Sequence, residues 1–130
     1  MKVLLALLST LLLATCAQPP PLLQRILADG ELRVVTRNSP DAYYLGSHGP
    51  EGPAYDLASQ FAEHLGVPLR LYTVKTREAA IEEVAAGRAH IAAAGLSTGI
   101  ALPRGVEFGP GYQRVREHLD AGRPVRTLEM

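Results

Sequence analysis

The stretch AYDLASQFAEHLGVPLRLYTVKTREAAIEEVAAGRAHIAAA, residues 54–94, decides the fold. Ala54, Leu57, Ala58, Phe61, Ala62 and Leu65 recur at the spacing of one apolar helical face. Asp56 stands in the first turn, where the helix dipole favours an anion, and Gly66 with Pro68 marks the exit. Residues 69–74 then read as a strand, with Arg70 and Tyr72 alternating against apolar neighbours. Thr76 is placed to cap a second helix that carries Ala80, Ile81, Val84 and Ala85 on one side and closes at Gly87. Residues 90–94 give a third short strand, whose Ala92, Ala93 and Ala94 allow a covering helix to come close.

Working outward, Leu22, Leu23, Ile26 and Leu27 suggest a short apolar turn of helix, broken by Asp29-Gly30. Residues 32–36 form a buried-type strand. Residues 38–53 hold Asn38, Ser39, Pro40, Gly46, Gly49, Pro50, Gly52 and Pro53, too many turn formers for regular structure, so a long excursion with room for a small hairpin is expected. The order is β-α-β-α-β. Parallel strands need such crossovers, so the fold class is α/β, a small parallel sheet with helices on its faces.

That topology locates a candidate site. In open α/β sheets ligands collect beyond the carboxyl ends of the strands, where strand order reverses. The first strand delivers Arg37, Asn38 and Ser39 to that rim, the second Lys75, and the third Gly95, Leu96, Ser97 and Thr98. Amides, hydroxyls and a cation on one edge suit a small polar or anionic ligand. Any one of these loops taken alone would be read as helix caps facing water.

Composition narrows the remaining classes. The 130 residues fit one domain and leave no room for a second catalytic module. Thirteen basic residues balance thirteen acidic ones, so the charge footprint of a nucleic-acid binder is missing. A single cysteine excludes an internal disulfide framework, and four histidines never fall at metal-site spacings, so neither metal nor cofactor is expected.

Met1-Lys2 followed by the apolar run at 3–13 has the pattern of a secretory signal. Eleven residues at 1.5 Å each reach about 17 Å, short of the roughly 30 Å hydrocarbon core, so targeting is favoured over spanning. Leu13-Ala14-Thr15-Cys16 resembles the bacterial lipoprotein box, with Thr15 where Gly or Ala is usual. The reading divides the chain into a signal at 1–15, a lipoprotein tether at 16–21 beginning with acylated Cys16, a lobe at 22–112 and a charged tail at 113–130, taken as a truncated crossover. Export to the periplasmic side of the envelope follows, with the lipid anchor in the outer membrane.

Four ordered blocks carry a family resemblance: Asp29-Gly30-Glu31-Leu32-Arg33-Val34, Gly52-Pro53-Ala54-Tyr55-Asp56-Leu57-Ala58, Ala92-Ala93-Ala94-Gly95-Leu96-Ser97 and Phe108-Gly109-Pro110-Gly111-Tyr112. Together they resemble family 3 periplasmic solute-binding proteins. More narrowly, Arg37-Asn38-Ser39-Pro40 with Tyr43-Tyr44, and the Ala-Ala-Ala-Gly-Leu block, resemble the N-terminal domain of the membrane-bound lytic murein transglycosylase F family. The resemblance covers residues 22–112. It implies an incomplete first lobe of a type II periplasmic-binding-protein-like fold, with a small ligand that is amino-acid-like or murein-derived. It points to Tyr43 or Tyr44 as the aromatic residue flanking the ligand, with hairpin packing as the competing role. It also points to Ser97 and nearby amides as ligand contacts. The family grips a carboxylate with an arginine shortly afterwards; ungapped alignment puts Leu102 there, and Arg104 could serve only if the loop shifts.

Catalysis finds no residues. Such transglycosylases use one glutamate in a separate lysozyme-like domain, and nothing after Tyr112 resembles it. Glu117 and Glu129 lie in a charged stretch without the apolar surroundings that raise a carboxyl pKa. Ser97 lacks a strained elbow, and residues 105–111 lack the lysine of a phosphate loop. The sequence therefore reads as a noncatalytic binding or regulatory module of an envelope lipoprotein in peptidoglycan turnover. The alternatives are the substrate-binding component of an amino-acid transporter and a nonfunctional fragment of low stability.

Overall fold

The computed structural model describes residues 20–112 and residue 114; the signal, the lipidation site Cys16 and nearly all of the charged tail lie outside the described residues. Eight elements follow one another: α1 (Leu22–Asp29), β1 (Leu32–Arg37), β2 (Tyr44–Gly46), β3 (Gly49–Glu51), α2 (Pro53–Leu65), β4 (Leu69–Val74), α3 (Arg77–Ala85) and β5 (Ile91–Ala92). β4, β1 and β5 form one parallel sheet in that order, and β2 pairs with β3 as an antiparallel hairpin.

The central strand explains the layering. Successive side chains of a strand point to opposite faces, so a strand covered on both sides must be apolar throughout. Leu32, Val34, Val35 and Thr36 of β1 are all buried. Leu32 and Val34 pack with Ile26 of α1 and with Ala58 and Ala62 of α2. Val35 packs on the other face, with Ala80 of α3, Ala89 and Ala94. The alanines let each helix sit close to the sheet, and each buried valine contributes about 1.5–3 kcal/mol of transfer free energy. The expected β-α-β-α-β order is present, with helices on both faces.

Helix ends follow the local chemistry. The Thr76 hydroxyl accepts from the Ala79 N–H at 3.1 Å and caps α3, and Gly66 ends α2 in the left-handed region. α2 has no side-chain cap; the Ala42 carbonyl accepts from the Ala54 N–H at 2.9 Å instead. That carbonyl approaches Gly52 closely. Gly52 has φ 121° and ψ 157°, a region open essentially to glycine alone, and a Cβ there would sit 2.6 Å from the Ala42 oxygen. The excursion at 38–53 is thus pinned at Ala42 and folded into the hairpin.

Two elements differ from expectation. α1 makes two full turns, because its helical pattern continues to Asp29 and stops only at the Gly30 cap. The third strand is two residues long instead of five. Beyond Ala92 one more backbone bond, from the Ala93 N–H to the Val35 carbonyl at 2.8 Å, holds the segment to β1, and side chains then take over: the Thr36 hydroxyl donates to the Ala93 carbonyl at 2.7 Å and Arg37 Nε to the Ala94 carbonyl at 3.1 Å.

His90 fastens the opposite end of the same seam. Its Nδ1 accepts from the Arg33 backbone N–H at 3.0 Å, so Nε2 carries the proton and donates to Asp29 at 2.8 Å. Arg33 closes the cluster with an ion pair to Asp29 at 2.9 Å. The His90 hydrogen bond, aided by Arg33, holds the Asp29 carboxyl below the usual range against the opposing effect of desolvation.

Candidate functional site

The strand order β4-β1-β5 fixes where connections diverge. From β1 the chain leaves toward β4, and from β4 it crosses back over β1 to β5, so the carboxyl ends of β1 and β5 lie side by side at the switch point. Arg37 joins them, through its bond from Nε to the Ala94 carbonyl. Its guanidinium also pairs with Asp41 at 3.4 Å, and the Arg37 side chain is only 20% exposed. Arg37 is therefore a held group at the rim, in contrast to a solvated surface arginine.

Asn38 and Ser39 continue from β1 into a tight turn. Ser39 exchanges backbone hydrogen bonds with Tyr43, at 2.8 Å and 2.9 Å. Ser39 Oγ is buried without a well-aligned partner and lies against the Asp41 carboxylate. That hydroxyl, the Asp41 backbone N–H, and the charges of Arg37 and Arg77 hold the Asp41 carboxyl below the ordinary range, against desolvation. Arg77 is the first residue of α3, so the connection after β4 also reaches this corner. Lys75, in the same connection, is exposed.

The loop after β5 supplies the other wall. Gly95 takes φ 65°, and the backbone amides of Gly95, Leu96, Ser97 and Thr98 donate to no acceptor among the described residues. Ser97 and Thr98 are exposed, whereas the Leu96 side chain packs against the α3-side core and leaves only its backbone at the rim. Arg104 is exposed on a turn and makes no hydrogen bond or ion pair with the rim among the described residues; Leu102 is half-buried. The rim thus brings Arg37 and Gly95 together, with Asn38 and Ser39 continuing from β1 and residues 96–98 continuing from β5.

The two tyrosines sit in the excursion. Tyr43 is half-buried, with its ring 6.3 Å from that of Tyr55. It lines a groove of about 420 Å³ bounded by Pro50, Tyr55, Ser59, Leu69 and Leu71, alongside α2 and β4. Tyr44 stands opposite Glu51 in the hairpin, and its hydrogen bond to that carboxylate pushes the phenol up. Asp41 is the residue the sequence reading passed over. Its only signal was a carboxylate four positions after Arg37, which has no meaning outside a helix until the turn at 40–42 brings the two together.

No His, Cys, Asp and Glu side chains cluster in a group of three or more as metal ligands would among the described residues, and no helix there is long and apolar enough to cross a membrane.

An open parallel sheet with helices on both faces and a polar rim at its switch point is the architecture of a periplasmic-binding-protein lobe. Among solved structures, the arginine-bound form of domain 1 from TmArgBP matches with a TM-score of 0.51 and 22% identity, over 57% of this chain and 58% of that one. The chain is a homologue of the membrane-bound lytic murein transglycosylases F over part of their length. The protein of that name from Alteromonas mediterranea is 33% identical across 100% of this chain and 29% of its own. The one from Pseudomonas fluorescens Pf-5 is 36% identical across 81% of this chain and 22% of its own, and the one from Pseudomonas putida GB-1 is 36% identical across 90% and 25%. The chain therefore spans less than a third of these curated relatives. No family model matches it.

Proposed function

We propose that this chain is the noncatalytic, ligand-binding or regulatory module of a cell-envelope lipoprotein engaged in peptidoglycan turnover. The observation that carries the reading is the bond from Arg37 Nε to the Ala94 carbonyl, which joins the ends of β1 and β5 at the switch point, beside amides that have no acceptor among the described residues. The homology to murein transglycosylases and the fold of a solute-binding lobe support it. The ligand is small and polar, amino-acid-like or murein-derived. It rests against Arg37, Asn38, Ser39 and residues 95–98, with Tyr43, Tyr44 and Arg104 available to flank it if the excursion and the later loop close over the rim.

The same reading gives residues 1–15 as an export signal, Cys16 as the acylated residue, 16–21 as the tether, 22–112 as the lobe and 113–130 as a separate charged segment. The protein then sits on the periplasmic side, held to the outer membrane by several acyl chains, each buried methylene adding about 0.8 kcal/mol.

Titration with a panel of free amino acids and a murein tripeptide, followed by amide NMR, tests the binding role. Saturable shifts at residues 37–39 and 95–98 are expected. Saturable binding that maps to the groove beside Tyr55 and Leu71, or none at all, would overturn it. Cys16→Ser should move the protein from the membrane fraction to the soluble one, and unchanged partition would remove the anchor.

A further inference from the structure

We propose that the open edge of β4 pairs antiparallel with β4 of a second copy of this chain, joining the two sheets into one across a two-fold axis at Leu71. β4 is the outer strand of the sheet, and its backbone pairs with β1 alone among the described residues. The Leu32 N–H donates to the Pro68 carbonyl at 2.9 Å, which sets the phase of the parallel ladder. In that phase Arg70, Tyr72 and Val74 turn their N–H and C=O groups to β1, while Leu69, Leu71 and Thr73 turn theirs outward. No described residue accepts from or donates to those outward groups. Such a row is a template for another strand. The helices leave it room. A groove of about 420 Å³ bounded by Tyr55, Ser59 and Leu69 runs along one face, one of about 520 Å³ bounded by Arg70, Tyr72 and Glu83 runs along the other, and Leu71 borders both.

The residues of β4 complement one another across that axis. With the axis at Leu71, Leu71 faces Leu71 of the second copy and Leu69 faces Thr73, so every outward N–H and C=O of the three residues meets a partner. Moving the axis to Tyr72 matches Leu69 with Lys75, outside the strand, and moving it to Arg70 opposes two like charges. At Leu71 the axis sets Arg70 opposite Tyr72 twice, at the non-hydrogen-bonded positions where Cα atoms come within about 4.5 Å. Arg70 is available for this contact: its side chain is 70% exposed, and it reaches Glu31 only at 3.8 Å. Tyr72 donates its hydroxyl to Glu83 at 2.7 Å, so an arriving guanidinium meets an aromatic ring backed by a carboxylate. A foreign extended peptide would use the same backbone groups without this doubled match. The pairing is isologous and stops at two copies, because β5, the opposite edge, offers only two residues. It does not depend on whether the rim binds a ligand.

The test is sedimentation equilibrium of the full chain carrying Cys16→Ser, which removes its single thiol. Its average mass should rise toward that of a dimer across the micromolar range. Thr73→Pro takes away one outward N–H and no bond to β1, as prolines on edge strands do, and should abolish the rise. Arg70→Glu should weaken association about tenfold, because its carboxylate would face Glu83 and the change counts twice across the axis. In the same background Leu71→Cys should form an intermolecular disulfide on mild oxidation, since the two Cα atoms lie about 5.5 Å apart, within the range of that bond. Thr73→Cys should form none, its counterpart lying about 13 Å away along the strands. Arg70 and Thr73 are exposed, so the Arg70→Glu and Thr73→Cys arms stand even if Thr73→Pro fails to fold. Association undiminished by Arg70→Glu, or cross-linking at 73 in preference to 71, would overturn the inference. So would a chain that stays monomeric, whether or not an added extended peptide shifts the amides of residues 69–73.

Discussion

Replacing Thr36 by valine isolates the bond that holds β5 beside the rim. Thr36 is fully buried, and its hydroxyl donates to the Ala93 carbonyl at 2.7 Å, just beyond the last backbone pair of a two-residue strand. Valine keeps the shape and removes the donor. A net intramolecular hydrogen bond contributes about 0.5–1.5 kcal/mol, and a carbonyl stripped of its donor adds a desolvation cost of about 1–3 kcal/mol when fully buried. Ala93 is half-buried, so water recovers part of that cost, and a total of about 1–2 kcal/mol is expected for Thr36→Val. For a domain of this size that lowers the thermal midpoint by roughly 5–15 °C. Thr36→Ser keeps the hydroxyl and loses one methyl, about 1 kcal/mol. The distinguishing readout is local: amide exchange at residues 95–97 should speed up in Thr36→Val and stay near wild type in Thr36→Ser. Equal exchange in both variants, or a valine variant as stable as wild type, would show that the hydroxyl does not hold the seam.

Three further outcomes follow from other parts of the fold. Gly52→Ala should cost more than about 2 kcal/mol in denaturant unfolding, since it combines a glycine-only conformation with a Cβ 2.6 Å from the Ala42 oxygen. Burial, with help from the Glu83 carboxylate, pushes the Tyr72 phenol up to about 12 from an ordinary 10.0. The unfolded chain therefore loses that proton first, and stability should fall as pH rises from about 10 toward 12; tyrosinate absorbance checks this, and Tyr72→Phe should flatten the slope. On the acid side, Asp29, Asp41 and Glu83 all sit below the usual carboxylate range, so the stability they supply is complete above the unfolded values and is lost as pH falls through the lowered folded ones. His90→Ala should bring Asp29 back up toward its ordinary value, which carboxyl-carbon NMR can follow.

The sequence showed the helices because their signals are local. Thr76 caps α3 and Gly66 ends α2, and of the expected apolar face of α2 Ala54, Ala58 and Ala62 are buried while Leu57 and Phe61 are exposed, because the sheet is narrow enough to cover only the alanine row. The parallel order followed from the alternation of elements. The length of the third strand was not legible, because residues 90–94 are uniformly apolar while the pairing stops where Thr36 and Arg37 take over with side-chain bonds. Leu96 was read as a rim residue, yet only tertiary packing decides that its side chain joins Val35 and Ala80. Asp41 was invisible for a related reason: the turn that carries it to Arg37 depends on Ser39 pairing with Tyr43, a contact no periodicity announces.

The adjacent valines at the middle of β1 are interchangeable, so its alignment is set by the residues that flank them. Sliding the strand by one residue would exchange Val35 for Val34 on either face, yet it would also turn Arg33 and Arg37 into the layer that Leu32 and Thr36 now fill. Polar chemistry at the two ends adds to that penalty, with His90 accepting from the Arg33 amide at one and Thr36 with Arg37 donating to two carbonyls at the other. Substitutions at those termini would then be felt along the whole strand, displacing the groups it presents at its tip.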